Sequence, residues 1–70
     1  MTIGQVAKLA GVGIETIRFY EREGILKEPP RRESGYRIYD SEIIGRLRFI
    51  KRAQELGFSL KEISEMLAIG

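Results

Sequence analysis

Arginine and its neighbours carry most of the chemistry in this chain. Arg31, Arg32 and Arg37 fall in one short segment, and Arg46, Arg48, Lys51 and Arg52 in another that holds no acid. Two local basic patches on a chain of net charge +2 fit a directed electrostatic footprint for a polyanion. They fit equally a pair of solvated surfaces, and charge alone does not separate the two. A second group lies close together: Glu15, Thr16, Arg18, Phe19, Tyr20 and Arg22. Thr16 can offer a hydroxyl or a methyl to a base edge, Glu15 can accept from a cytosine amino group, and Arg18 can reach a phosphate or a guanine. Glu15 and Thr16 also suit the wet side of any helix. Tyr20 either completes an apolar face with Ile17 or gives its hydroxyl to a phosphate while the ring stays packed. The same alternatives stand for Tyr36 and Tyr39.

Other chemistries are excluded by what the chain lacks. Cysteine and histidine are both absent, so no disulfide, zinc cluster, thiol sensor, or Cys–His or Ser–His nucleophile exists within these residues. The acids are spread along helices and not clustered as an oxygen-ligand loop needs. No cofactor is expected, and nothing pairs an acid with a base in the manner of an enzyme. No apolar run approaches the roughly 18 residues of a membrane span. The opening MTIGQVAKLAGV lacks the basic stretch and apolar block of a signal peptide, so a cytoplasmic setting is expected.

These residues need elements to hold them. Seventy residues, 43% of them apolar, suffice for one small domain. Thr2 and Gln5 form a capping box for a helix over residues 3–10, with Ile3, Val6, Ala7 and Ala10 at helical spacing and Gly11 as its stop. A second helix spans Ile14 to Glu23, with Ile14, Ile17 and Tyr20 on one side and Gly24 just past its end. Residues 25–39 break the period. Ile25 and Leu26 are apolar anchors, Pro29-Pro30 and Ser34-Gly35 mark turns, and Tyr36-Arg37-Ile38-Tyr39 is β-prone. This segment reads as a small two-stranded wing. A third helix is capped by Asp40 or Ser41 and ended by Gly57, its apolar side made of Ile43, Ile44, Leu47, Ile50, Ala53 and Leu56 with Phe49 beside them. Gly45 inside it hints at another element packed close by. Ser59 and Glu62 form a second capping box, opening a fourth helix through Leu60, Ile63, Met66, Leu67 and Ile69.

The expected fold is mainly α, a four-helix winged helix-turn-helix with a small two-stranded β wing. In that motif the second helix enters the major groove and shows its N-terminal residues to the bases. Here those are Gly13, Ile14, Glu15 and Thr16, with Arg18, Phe19 and Arg22 further along. Arg31, Arg32 and Arg37 on the wing can reach phosphates or an adjacent minor groove. Arg48, Lys51 and Arg52 on the third helix make either a second backbone contact or the wet side of an amphipathic helix.

Three strings go beyond this generic pattern. ETIRFYEREGIL (Glu15 to Leu26), GYRIYD (Gly35 to Asp40) and RFIKRAQELGFSLKEISEML (Arg48 to Leu67), in this order and spacing, closely resemble the N-terminal domain of the MerR family of bacterial transcription regulators. The resemblance implies a homodimer that binds a palindrome in double-stranded promoter DNA, between the promoter elements. Distortion of that spacer then acts on RNA polymerase indirectly. Arg18 and Tyr20 stand where the family motif meets the DNA backbone, and Arg37 stands where the wing's GYR motif does. The details lean toward the heavy-metal-responsive branch. Family members continue into a long dimerisation helix and an effector domain, both expected to be absent here, leaving residues 1–70 as the DNA-binding domain. An excisionase-like architectural DNA-binding protein and a helical protein–protein module are the alternatives.

Overall fold

The structure is a computed structural model that describes residues 1–30 and 37–69. It contains four helices: α1 (Ile3–Ala10), α2 (Ile14–Arg22), α3 (Glu42–Glu55) and α4 (Leu60–Ile69). The expected helical architecture is therefore present, and each boundary has a local cause. Thr2 Oγ1 accepts from the Gln5 N–H at 3.2 Å while Gln5 Oε1 accepts from the Thr2 N–H at 2.9 Å, closing the capping box of α1. Ser59 and Glu62 make the same exchange at 2.9 and 3.1 Å ahead of α4. There the Ser59 backbone N–H, and then its hydroxyl, hold the Glu62 carboxyl below its ordinary pKa.

At α3 the sequence left Asp40 and Ser41 open. Asp40 Oδ1 accepts from the Glu42 N–H at 2.9 Å, whereas Ser41 makes no side-chain cap. The end of α2 depends on Gly24 at φ 77°, a left-handed conformation that costs other residues far more. It lets the Ile25 N–H reach back to the Tyr20 carbonyl at 3.0 Å and turns Ile25 and Leu26 into the core.

α3 is the central element, packed against both α1 and α4, while α2 packs on α1. Val6, Ile17, Leu47, Ile50 and Ile63 are fully buried, so every helix contributes to one aliphatic centre. Removing such a side chain to alanine costs about 2–5 kcal/mol through lost transfer energy and the cavity left behind. No polar or charged residue is buried among the described residues.

The segment expected to form the wing is anchored at both ends by buried residues, Ile25 and Leu26 at one and Tyr39 at the other. Tyr39 is also tied through its backbone. Its N–H donates to the Met1 carbonyl and its carbonyl accepts from the Met1 ammonium, each at 2.7 Å. Arg37 sits in a single bridge, and no strand is present among the described residues. The expected tip, from Arg31 to Tyr36, lies outside them.

Two expectations about α3 are corrected. Leu56 is 62% exposed because it follows the last residue of α3 and the chain turns there. Gly45 faces open space: a Cβ added there meets nothing within 4 Å among the described residues. Its flexibility is thus a cost to α3 with no packing gain. Gly45→Ala is expected to stabilise the fold by about 1 kcal/mol, read as a higher denaturation midpoint. A lower midpoint would show that something does approach this position.

Candidate nucleic-acid interface

The candidate surface is built on α2, whose two sides differ sharply. Ile17 and Tyr20 are buried, with Thr16 and Glu21 half-buried at the flanks. Glu15, Arg18, Phe19 and Arg22 are exposed and fall at i, i+3, i+4 and i+7, which places them on one stripe of a helix. Two acid–base functional types and an aromatic ring therefore face outward together. Ile14, expected on the apolar side, is 39% exposed at the start of the same helix. Gly13 opens α2 without a side-chain hydrogen bond.

Two tyrosines hold this helix from behind. The Tyr20 ring is in the core, and its hydroxyl donates to Gln54 Oε1 of α3 at 2.5 Å. Burial also raises the Tyr20 pKa, because the phenolate would lose hydration. Of the two roles open for Tyr20, packing is thus visible directly, and its hydroxyl proton is engaged within the protein. The Tyr39 hydroxyl donates to Glu21 Oε2 at 2.9 Å, linking α2 to the end of the expected wing. Burial first, then the hydrogen bond and negative charge of Glu21, push the Tyr39 pKa up to about 12, while Arg37 opposes the shift.

Arg37 is about a third exposed, and its Nη2 pairs with Glu28 Oε2 at 2.8 Å. Its Nε is buried and has no hydrogen-bond partner among the described residues. Arg31, Arg32 and Tyr36 belong to the segment outside the described residues. The second basic patch has a role that neither earlier reading supplied. Arg48 Nη2 donates to the Leu9 carbonyl and Lys51 Nζ to the Gly11 carbonyl, both at 3.0 Å. Two cations of α3 thus satisfy carbonyls at the C-terminus of α1, the end at which the helix dipole favours positive charge.

The partners that sequence reasoning missed are Gln54, Glu21 and Glu28. Gln54 lies 34 residues from Tyr20, so no local spacing announces the pair. Among the described residues, no group of three or more acids is placed to hold a metal ion. No described helix is long and apolar enough to cross a membrane.

The model of the MerR HTH family regulatory proteins matches residues 1–68. The chain is 54% identical over 67 residues to a mercuric resistance operon regulatory protein of Bacillus cereus, an alignment covering 96% of this chain and 51% of that protein. Among solved structures, the transcription regulator PbrR691 from Ralstonia metallidurans CH34, in complex with lead(II), is 42% identical. It superposes with a TM-score of 0.89 over 99% of this chain and 54% of its own. HiNmlR, a MerR family regulator lacking the sensor domain and bound to promoter DNA, is 32% identical with a TM-score of 0.84, covering 100% of this chain and 55% of its own. The chain spans about half the length of the curated relatives it matches.

The burial of Tyr39, with its contact to Glu21, makes a pH prediction. A tyrosine pKa raised from 10.0 to about 12 stabilises the fold fully below pH 10, and that stabilisation is lost as the pH rises toward 12. Tyrosinate absorbance should show a late-titrating group that disappears in Tyr39→Phe. The variant should also lose less stability than the parent between those two pH values. A titration of Tyr39 near 10 would mean that its ring is not buried beside Glu21 as described.

Proposed function

Because the chain belongs to the MerR HTH family of regulatory proteins, we propose that it is a winged helix-turn-helix domain that binds double-stranded promoter DNA. α2 lies in the major groove. The observation that carries this reading is the exposed stripe Glu15–Arg18–Phe19–Arg22 on a helix whose back is fixed by Ile17 and Tyr20. Its likeness to a solved relative bound to promoter DNA supports DNA as the partner. Glu15 and Thr16 read base edges near the start of α2, while Arg18 and Arg22 contact the backbone or a guanine. Phe19 packs against the sugar–phosphate surface beside them. The Tyr20 hydroxyl keeps lone pairs to accept from a neighbouring donor, but its main contribution is to hold Arg18 in place.

Residues 25–39 act as the wing, with Arg31, Arg32, Tyr36 and Arg37 on the flanking backbone. Phosphate contacts supply most of the affinity and none of the sequence information. In a homodimer two such domains read a palindrome, and distortion of the promoter spacer acts on RNA polymerase. The likeness to mercuric resistance regulators supports a place in the heavy-metal-responsive branch. With no cysteine or histidine, however, these residues do not fit the role of a soft-metal site.

Fluorescence anisotropy with a labelled palindromic promoter duplex and a scrambled one, over a salt series, tests the reading. Preference for the palindrome with affinity falling steeply as salt rises is the expected result. Arg18→Ala and Arg37→Ala should each weaken binding on the order of tenfold, about 1.4 kcal/mol. Each should also reduce the salt slope by about 1, with the melting temperature little changed. Cooperative spreading along repeated sites would point to an architectural protein, and indifference to DNA at low salt to a protein–protein module.

A further inference from the structure

The contact between Arg37 and Glu28 joins the two ends of the proposed wing. Glu28 precedes Pro29-Pro30, and a residue before proline is confined to extended backbone, which limits where its carboxylate can go. Arg37 lies at the other end of the proposed wing, two residues before Tyr39, whose backbone is paired with Met1, so its position too is limited by backbone and not only by side-chain choice. The pair is a one-point contact, Nη2 to Oε2 at 2.8 Å, and it leaves the Arg37 Nε without a partner among the described residues. A carboxylate and a phosphate oxygen compete for the same guanidinium donors, and phosphate offers the two-point geometry that Glu28 does not.

We propose that Glu28 is an internal competitor for DNA phosphate, holding Arg37 in the free protein and giving it up on binding. The inference rests on the reading of Arg37 as a backbone contact. It goes further by assigning an acid of this chain the task of limiting affinity. Glu28 is 47% and Arg37 32% exposed, so the pair is partly solvated and a phosphate can displace it at modest cost. The limit acts on every DNA sequence alike, since a phosphate contact carries no base information.

A double-mutant cycle on the 70-residue chain tests this, using a fluorescein-labelled mixed-sequence duplex at low salt. Glu28→Gln is expected to bind roughly two- to five-fold more tightly than the parent, the range corresponding to an exposed ion pair. In the Arg37→Ala background the same substitution should change affinity hardly at all. An equal gain in both backgrounds would overturn the proposal, because it would reflect only the loss of a negative charge near DNA. No gain, or weaker binding in Glu28→Gln, would overturn it too, by showing that Glu28 either does nothing or aligns Arg37 for binding. Thermal melts of each variant separate these outcomes from a loss of fold. If the parent itself fails to bind the duplex, the DNA reading falls along with the inference. Binding by the parent without an Arg37-dependent gain overturns the role of Glu28 alone.

Discussion

A short helix that leaves one whole side exposed must be held from behind, and α2 lives under this constraint. It is nine residues long, and only Ile17 and Tyr20 are buried. An isolated helix this short is unstable in water, because nucleation is costly and few hydrogen bonds follow. Its order therefore comes from what its back touches: the aliphatic centre through Ile17, the amide of Gln54 through the Tyr20 hydroxyl, and Tyr39 through Glu21. The outward stripe can be polar and charged because the anchoring is concentrated in a few residues behind it. This also explains why α3 is central. It supplies Leu47 and Ile50 to the shared core, Gln54 to Tyr20, and Arg48 and Lys51 to the end of α1.

How much of this could be read from the sequence depended on how local each interaction is. The caps at Thr2–Gln5 and Ser59–Glu62 span three residues, and both were legible because both partners lie in one short string. The start of α2 and the glycine past its end were equally legible. Helical spacing also gave Ile17 and Tyr20 as the inner side of α2, whereas Ile14, which it placed beside them, is exposed. Gly45 was misread because the same residue type marks both a close approach and a simple tolerance, and only coordinates distinguish open space from a neighbour. Leu56 was assigned to the core by extending the apolar period one residue beyond the helix that carries it.

The interactions that were not legible are those that join distant parts of the chain. Arg48 and Lys51 looked like a basic patch with two available meanings, and the third meaning appears only when α3 lies across the end of α1. The pairing of Glu28 with Arg37 was hidden for the same reason, although only nine residues separate them. In each case sequence gives the charge but not its partner. A count of exposed arginines therefore overstates what is freely available to a polyanion, since some of the cations are already engaged inside the domain.

The contacts that α3 makes with the first two helices have a consequence for the order in which the molecule can assemble. Arg48 meets Leu9 across 39 residues, Lys51 meets Gly11 across 40, and Gln54 meets Tyr20 across 34. The first two helices, which hold the candidate reading surface, are thus made well before the element that steadies them. A nascent chain that has left the ribosome only as far as the wing has a helix-turn-helix in sequence but lacks the floor it rests on. Helix formation and loop closure are both far faster than synthesis at about 5–20 residues per second, so the arrival of α3 sets the order. The domain therefore gains its shape only once α3 has emerged, and a chain that stops short of it has no rigid surface to present.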